Sequence, residues 1–502
     1  MHPFSKGQGA FIKITSLTVG LTVGLVLLAK VQLERSYDRC IVDKEHVYEL
    51  QETFQRAGEE LQQHSATSGG IAPVLAQEIP EVVTATRYTA QFGEEKLTLE
   101  DGSRHYFEEA VFADSCFFDI FATKTLVGDA KQILSTAGQC MISRRLSEKM
   151  GGEVVGQTFC FASAPQKPMT ICGVYEDYPE NSTFARFDIL MSMPSVGTYA
   201  WDGTENLIGN DRYHSYVRLR PDADIDKVRG EVQELLQRIL PWEDLKQTGY
   251  TDAGIELVSV AGSRMKDTTV RTTCIILAVV ALVMLFTAVM NYILVVISSL
   301  VGRARQVAVR KVLGAPNREF FLGSIGEAAL HLLAALILMT LLLYAGQDLT
   351  RDLLGVSVQA LFSRQTFTVL LTVCLIVLLC CGILPGFIYS RIPLTYAYRL
   401  YSESKRVWKL SLLTFQFVLS TMLLCVLTTI YRQYHYMLNT DMGYQYDEVA
   451  YVNVSALHGD SIYSLAREIE NLPCVENLKH AKKPLIHLGV ILSKHRLISF
   501  VS

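Results

Sequence analysis

The sequence predicts a membrane α-helical protein of five spans, with an inserted α+β extracytoplasmic domain and the start of a second repeat at the C-terminus. Three observations lead there. Half of the 502 residues are hydrophobic while 19% are charged, a split that makes sense only if the charge is concentrated in one place. Thr272–Gly302 carries no charged side chain over 31 residues (272 to 302 inclusive), and a hydrocarbon core of about 30 Å needs only roughly 20 helical residues. Segment 34–270, by contrast, is polar and long enough to bury a core of its own.

Four further stretches qualify as spans. Ile14–Leu33 is interrupted only by Lys30, whose long stem lets its charge snorkel to the interface. Ala328–Gln347, Gln365–Ser390 and Leu410–Tyr431 contain no Asp, Glu, Lys or Arg. The first span follows a short basic tip (Lys6, Lys13). No small-x-small site appears at Leu28–Leu33, so an uncleaved anchor is expected rather than a removed signal peptide. On this reading the spans hold no carboxylate, and His331 packs against a neighbouring helix.

Charge orients the chain. Segment 303–326 has five basic residues (Arg303, Arg305, Arg310, Lys311, Arg318) against Glu319, and 391–409 has five more (Arg391, Arg399, Lys405, Arg406, Lys409) against Glu403. Loop 348–364 is balanced. By the positive-inside tendency the N-terminus and both basic loops face the cytoplasm, leaving 34–270 and everything past 431 outside. The expected divisions are 1–33 (tip and first span), 34–270 (extracytoplasmic domain), 271–390 (spans two to four, with loop 303–327), 391–409 (cytoplasmic linker), 410–431 (fifth span) and 432–502 (incomplete second extracytoplasmic domain). The net charge of −4 excludes nothing and gives no sign of nucleic-acid binding.

Inside 34–270, Val47, Leu50, Phe54, Ala57 and Leu61 have helical spacing. Val82–Tyr88, Lys96–Leu99, Tyr106–Phe112, Gln157–Phe161 and Met169–Val174 read as strands. An amphipathic helix at Ile225, Val228, Val232, Leu235, Leu236 and Ile239 is started by Asp222 or Asp224. Of the eleven cysteines, five lie in spans as small apolar residues. Cys160 and Cys172 flank a turn at Ser163–Lys167, which permits a disulfide, with free thiols the expected state. A weak repeat pairs Ile79-Pro80-Glu81-Val82 with Leu472-Pro473-Cys474-Val475, each behind a helical stretch (Ser461–Ile469 in the second). The two starts are four spans apart, so the units run parallel about the membrane normal. Lys482–Ser502 shows no counterpart in the first unit, and a shortened or frame-shifted form of a longer protein is the expectation.

No catalytic or metal-binding pattern appears: no H-E-x-x-H, no G-x-S-x-G, no C-x-x-C. Gly151–Thr158 approaches a phosphate loop, but Gln157 stands where the lysine belongs and a strand follows. Neither a cofactor nor an enzymatic activity is expected. Ser16, Gly20 and Gly24 form a stripe of small residues suited to close helix packing, and Asn291 can hydrogen-bond across helices. In 303–327 the second span's helix overshoots the bilayer, runs into a basic stretch, breaks at Gly314-Ala315-Pro316 and re-enters. Val307, Val312 and Leu313 would form the apolar face of a docking turn for a cytoplasmic partner.

That stretch resembles the signature of the FtsX/MacB-type permeases of ABC transporters, R-x-x-E-[IV]-G-[IV]-R-[KR]-x-[LI]-G-A with a Glu further on. Val307, Val309, Arg310, Lys311, Leu313, Gly314, Ala315 and Glu327 match, while Gln306 and Ala308 stand where Glu and Gly are usual. Further matches are Glu34–Arg39, Phe117–Phe121 with Gly128-Asp129, Gly173–Ser182, Asn291-Tyr292, Phe415–Phe417 and Asp441–Tyr444. The resemblance implies a MacB-like periplasmic domain inserted after the first span and FtsX-like spans after it. It also implies an inner-membrane permease subunit working with a separate cytoplasmic ABC ATPase in efflux or export, lipoprotein release or mechanotransmission. The ATPase would dock on Arg305, Val307, Val309, Arg310, Lys311, Val312, Leu313, Gly314, Ala315 and Glu327. Membrane lipid, a homodimer or second permease half, and a periplasmic adaptor are further expected partners. A membrane-anchored receptor or sensor would explain 34–270 but not four more spans.

Overall fold

A computed structural model describes residues 4–99, 105–362, 364–390, 407–440, 449–453, 460–473, 477–481 and 489–493. Helix α1 (Phe4–Arg35) leads to strands β1 (Val47–Arg56) and β2 (Gln62–His64), helix α2 (Ile71–Glu78), and strands β3 (Val82–Leu99) and β4 (His105–Ala113). Next come α3 (Phe117–Ile120), β5 (Thr125–Val127), α4 (Ala130–Ser135), β6 (Gln139–Ser143), α5 (Arg144–Met150), β7 (Thr158–Phe161), β8 (Ala164–Tyr175), β9 (Phe187–Ser192) and α6 (Val196–Tyr199). The domain closes with β10 (His214–Leu219), α7 (Ile225–Ile239), α8 (Trp242–Gln247) and β11 (Tyr250–Ser259). One turn, α9 (Ser263–Lys266), precedes α10 (Thr268–Val312), α11 (Asn317–Ala345), α12 (Gln347–Leu354), α13 (Val358–Leu361), α14 (Arg364–Ser390) and α15 (Val407–Asn439). The last elements are β12 (Val449–Asn453), α16 (Asp460–Glu470), β13 (Asn477–Ala481) and β14 (Gly489–Ser493).

Five helices are long and apolar enough to cross a bilayer: Ala10–Arg35, Thr268–Val296, Asn317–Ala345, Thr366–Phe387 and Leu413–Asn439. They coincide with the five expected spans. The third begins earlier than the sequence suggested, because α11 is helical from Asn317, and so it takes in Glu319 and Glu327, while the first extends to include Glu34. The expectation of carboxylate-free spans is therefore corrected; the Glu327 charge is carried by an ion pair to Lys13 at 2.8 Å.

The chain forms two compact units, residues 1–93, 109–155 and 172–419 in one and 94–108, 156–171 and 420–502 in the other. In the first, strands between α1 and α10 belong to a mixed sheet ordered β11-β1-β10-β3-β4-β9-β6-β8-β5. Strands β4 and β9 run parallel, whereas β1 pairs antiparallel with both β10 and β11. One face packs against α2 and α7: Leu50, Val217, Leu219, Ile255 and Leu257 meet Val228, Val232, Leu235 and Leu236. The α7 start is fixed by Asp224, whose side chain accepts from Asp226 N. The other face is aromatic, built around Tyr88, Phe117, Phe121, Tyr175, Tyr178 and Phe184.

The helix expected from Val47 is a strand instead. Val47, Leu50 and Phe54 lie in β1, paired to β10 on one side and β11 on the other. Val47–Leu50 pair with β10, Tyr48–Arg56 with β11 and Glu52–Phe54 with β2, and these antiparallel ladders outweigh spacing.

In the second unit, β7 pairs with the far end of β3, setting Thr98 opposite Cys160. It also pairs with β8 so that Thr158 faces Thr170. That register carries Cys172 past the paired stretch, and both Cys160 and Cys172 are free thiols. The C-terminal sheet is ordered β12-β14-β13, both pairings antiparallel. It repeats the order β1-β10-β3, with α16 between its outer strands as α2 lies between β1 and β3. Part of Lys482–Ser502 thus does have a counterpart: β14 takes the central place that β10 takes in the first sheet.

Candidate functional site

The helix α10 is the feature that links everything else. Asp267 caps it, accepting from Thr269 N at 2.7 Å and Val270 N at 3.3 Å. It runs unbroken for 45 residues, about 67 Å at the helical rise, through the uncharged stretch and on to Val312. It stops there for a local reason. Gly314 sits at φ +91°, its N–H reaching Lys311 O while Ala315 N reaches Arg310 O, both at 3.0 Å. This is the Schellman closure, which needs a left-handed residue and so a glycine. Pro316 then prevents continuation, and α11 turns back.

The side chains at this end divide into two sets. Val307 and Ala315 pack on the bundle core, and Ala308 is fully buried. Lys311 turns inward, its Nζ 2.6 Å from Ser390 O at the end of α14 and 5.8 Å from the Phe320 ring. Val309, Arg310, Val312 and Leu313 face outward, Leu313 with 81% of its surface free. Val307 therefore does not share an exposed face with Val312 and Leu313. Glu327 lies away from that face, in the bundle with Lys13. Arg305 is within α10, its side chain outside the described ones.

The same helix is gripped by α1. A Cβ on Gly20 would collide with Ala288 Cβ, and one on Gly24 would lie 2.6 Å from Leu285 Cγ, so the two glycines mark where α1 and α10 run in closest contact. Ser16 lines a recess beside them. Asn291, one turn further along α10, accepts from Gln416 Nε2 of α15 at 2.6 Å. Below it Tyr292 Oη lies 3.1 Å from His331 Nδ1 of α11, so His331 does pack on a neighbouring helix.

At the opposite end of α10, motifs far apart in sequence converge. Asn181 Nδ2 donates to Ser36 O and Oγ, both at 3.0 Å, at the exit of α1. Asp38, held at φ +55°, accepts from Thr183 N at 2.7 Å and from Thr183 Oγ1 at 2.8 Å. Glu34 bridges Lys30 at 2.9 Å and Arg264 at 3.0 Å, and Arg264 lies 4.3 Å over the Tyr37 ring, directly before α10. Glu180 reaches across to accept from Ser357 N at 2.7 Å, at the start of α13 between the third and fourth spans. Tyr178 donates to Phe121 O at 2.6 Å, tying the Phe117–Phe121 segment to the same loop. Sequence reasoning noticed the segments 34–39, 117–121 and 173–182 one by one; their meeting in one joint is visible only in three dimensions. Gly151, by contrast, is simply the left-handed C-cap of α5.

Two families match the chain: residues 11–235 match the MacB-like periplasmic core domain and residues 278–396 the FtsX-like permease C-terminal region. Among solved structures, a domain of a protein described as a permease from Porphyromonas gingivalis is 31% identical. It covers 44% of this chain and 91% of that one, with a TM-score of 0.40. The extracellular domain of the noncanonic ABC-type transporter YknZ from Gram-positive bacteria is 12% identical. It covers 42% of this chain and 99% of that one, with a TM-score of 0.28. None of the curated proteins matches.

Proposed function

The chain belongs to the FtsX/MacB-type permeases of ABC transporters, and on that premise we propose that it transmits the stroke of a separate cytoplasmic ATPase to its extracytoplasmic domain. It is a membrane protein with such a domain, and its permease class implies an ABC ATPase partner. The finer reading rests on one observation, the unbroken helix α10. A helix of about 67 Å exceeds a hydrocarbon core of about 30 Å by more than half its length. It is therefore rooted in the domain at Asp267 and still projects from the opposite face at Arg310.

The excess of Arg and Lys in 303–326 and 391–409 favours the cytoplasm for that projecting end. The N-terminus then lies inside, and 34–270 lies outside an inner membrane. Val309, Arg310, Val312 and Leu313 present the exposed surface a motor would grip, with Arg310 supplying charge and Leu313 an apolar knob. Lys311, Val307, Gly314 and Ala315 hold that surface in shape, and Glu327 anchors the neighbouring helices. Nucleotide changes the shape of such an assembly only through contacts that differ between its states, and this surface is where they would differ.

The test is co-purification of the chain with its cytoplasmic ATPase from native membranes. Leu313→Asp and Arg310→Glu should each abolish recovery of the ATPase while leaving the permease folded and inserted. Undiminished recovery, or labelling of a cysteine at position 310 from outside intact cells, would overturn the assignment.

A further inference from the structure

We propose that a cavity in the extracytoplasmic domain is a binding site for a small apolar amine, with the ammonium group received by the carboxyls of Glu52 and Asp211. The cavity, about 110 Å³, lies between the edge of the sheet and helices α2, α7 and α8. Its walls are mostly apolar, with Phe54, Ile71, Leu236 and Ile255 among them, and one end presents the two acids. That volume accommodates a body of one six-membered ring, since apolar cavities near this size stay dry and take up benzene-sized molecules.

The acids are held by the protein. Glu52 Oε1 accepts from Ser68 N at 2.6 Å, and Asp211 Oδ1 accepts from Ser68 Oγ at 2.9 Å. Both acids line the cavity and converge on Ser68, one at its N–H and the other at its hydroxyl, so their charges repel and the pair favours sharing one proton. Burial, and then the nearby Asp211 charge against the opposing Ser68 N–H, leaves the Glu52 carboxyl pushed up to about 7. Tyr250 is the other ionisable side chain on the wall, and Arg56 covers its ring from outside at 4.7 Å while donating to its hydroxyl. His64 stacks behind Phe54 at 4.8 Å. The lining contains no Lys, Arg or His, so the interior offers negative charge on an apolar wall. A neutral molecule would leave the pair as it is. An ammonium ion would take the place of the shared proton, which leaves to solvent, and would donate to both carboxylates.

Benzylamine is the probe, with benzyl alcohol and benzoate as its neutral and anionic counterparts, titrated into the full chain in lipid nanodiscs. Benzylamine should bind at least ~10-fold tighter than benzyl alcohol, as a charge-assisted hydrogen bond predicts, and benzoate should not bind. Calorimetry in buffers of different ionisation enthalpy should show proton release on amine binding at pH 6. Glu52→Gln combined with Asp211→Asn should erase the amine preference. Leu236→Phe, which fills the cavity without touching the acids, should abolish binding of both amine and alcohol while the domain still melts cooperatively. Equal binding of amine and alcohol, amine preference surviving in the double variant, or no amine binding at millimolar concentration would each overturn the site.

Discussion

Glu52 sits on β1 between two ladders, and its carboxyl is the clearest case here of an environment overriding a side chain's ordinary chemistry. Burial moves it from the usual carboxylate range to about 7, with the Ser68 N–H opposing and the Asp211 charge reinforcing. The sign of the consequence follows from proton counting. A carboxyl whose folded value is raised binds more protons folded than unfolded between about pH 4.5 and 7, so stability is greatest below that window and is lost as pH rises through it. The extracytoplasmic domain should therefore melt a few degrees lower at pH 8 than at pH 5, the scale of a ~1–2 kcal/mol change in a domain of this size. Glu52→Gln should flatten that difference, measured by thermal scans of the full chain at the two pH values. An unchanged pH slope in the variant would mean that another group carries the effect.

Helices α1 and α11 meet at a pair of residues 314 positions apart in sequence. Lys13 is 3% exposed, its Nζ 2.8 Å from Glu327 and 5.6 Å from the Tyr292 ring. Removing one partner of such a pair leaves the other charge buried, at a cost of roughly 3–5 kcal/mol, whereas replacing both by apolar residues is often neutral. Because Glu327 is 33% exposed and Lys13 almost wholly enclosed, Glu327→Leu should destabilise more than Lys13→Met. The double variant should recover most of the loss in detergent melting experiments. Additive losses would show that the two charges do not depend on each other. This pair also shows where sequence reading stops. The five spans, the helix start at Asp222 or Asp224 and the glycine break after α10 are local patterns, and each could be read without knowing the fold. The β1 strand could not, since its apolar positions also fit a helical period and only the flanking strands β10 and β11 decide between the two. Nor could the division at the end of α10, where Val307 faces inward and Leu313 outward according to how α11 and α14 pack beside it.

For the molecule as a whole, the proposed function requires that force cross the membrane without being absorbed on the way. A continuous, hydrogen-bonded helix is stiff, and α10 is braced along its length. Gly20 and Gly24 bring α1 against it, Asn291 is tied to Gln416, and Arg264 with Glu34 clamps its upper end to the exit of α1. The segment 178–183 then joins that clamp to the aromatic core of the domain through Tyr178 and, through Glu180, to the link between the third and fourth spans. A displacement of Arg310 in such an arrangement has a continuous path to the sheet. The path has one stretch that can be broken without touching either end: Ser298, within α10, with its hydroxyl donating only to Val295 O of its own helix. Proline there removes a helical hydrogen bond, clashes with the preceding turn and kinks the rod, costing ~3 kcal/mol or more. Ser298→Pro should leave the ATPase bound, because Val309, Arg310, Val312 and Leu313 are untouched, yet abolish the nucleotide-dependent change in distance between labels on the extracytoplasmic domain and the lipid surface. Ser298→Ala should behave as the parent chain. If the proline variant kept its full nucleotide response, α10 would be a passive anchor, and the motion would have to travel through α1, α11 or α14 instead.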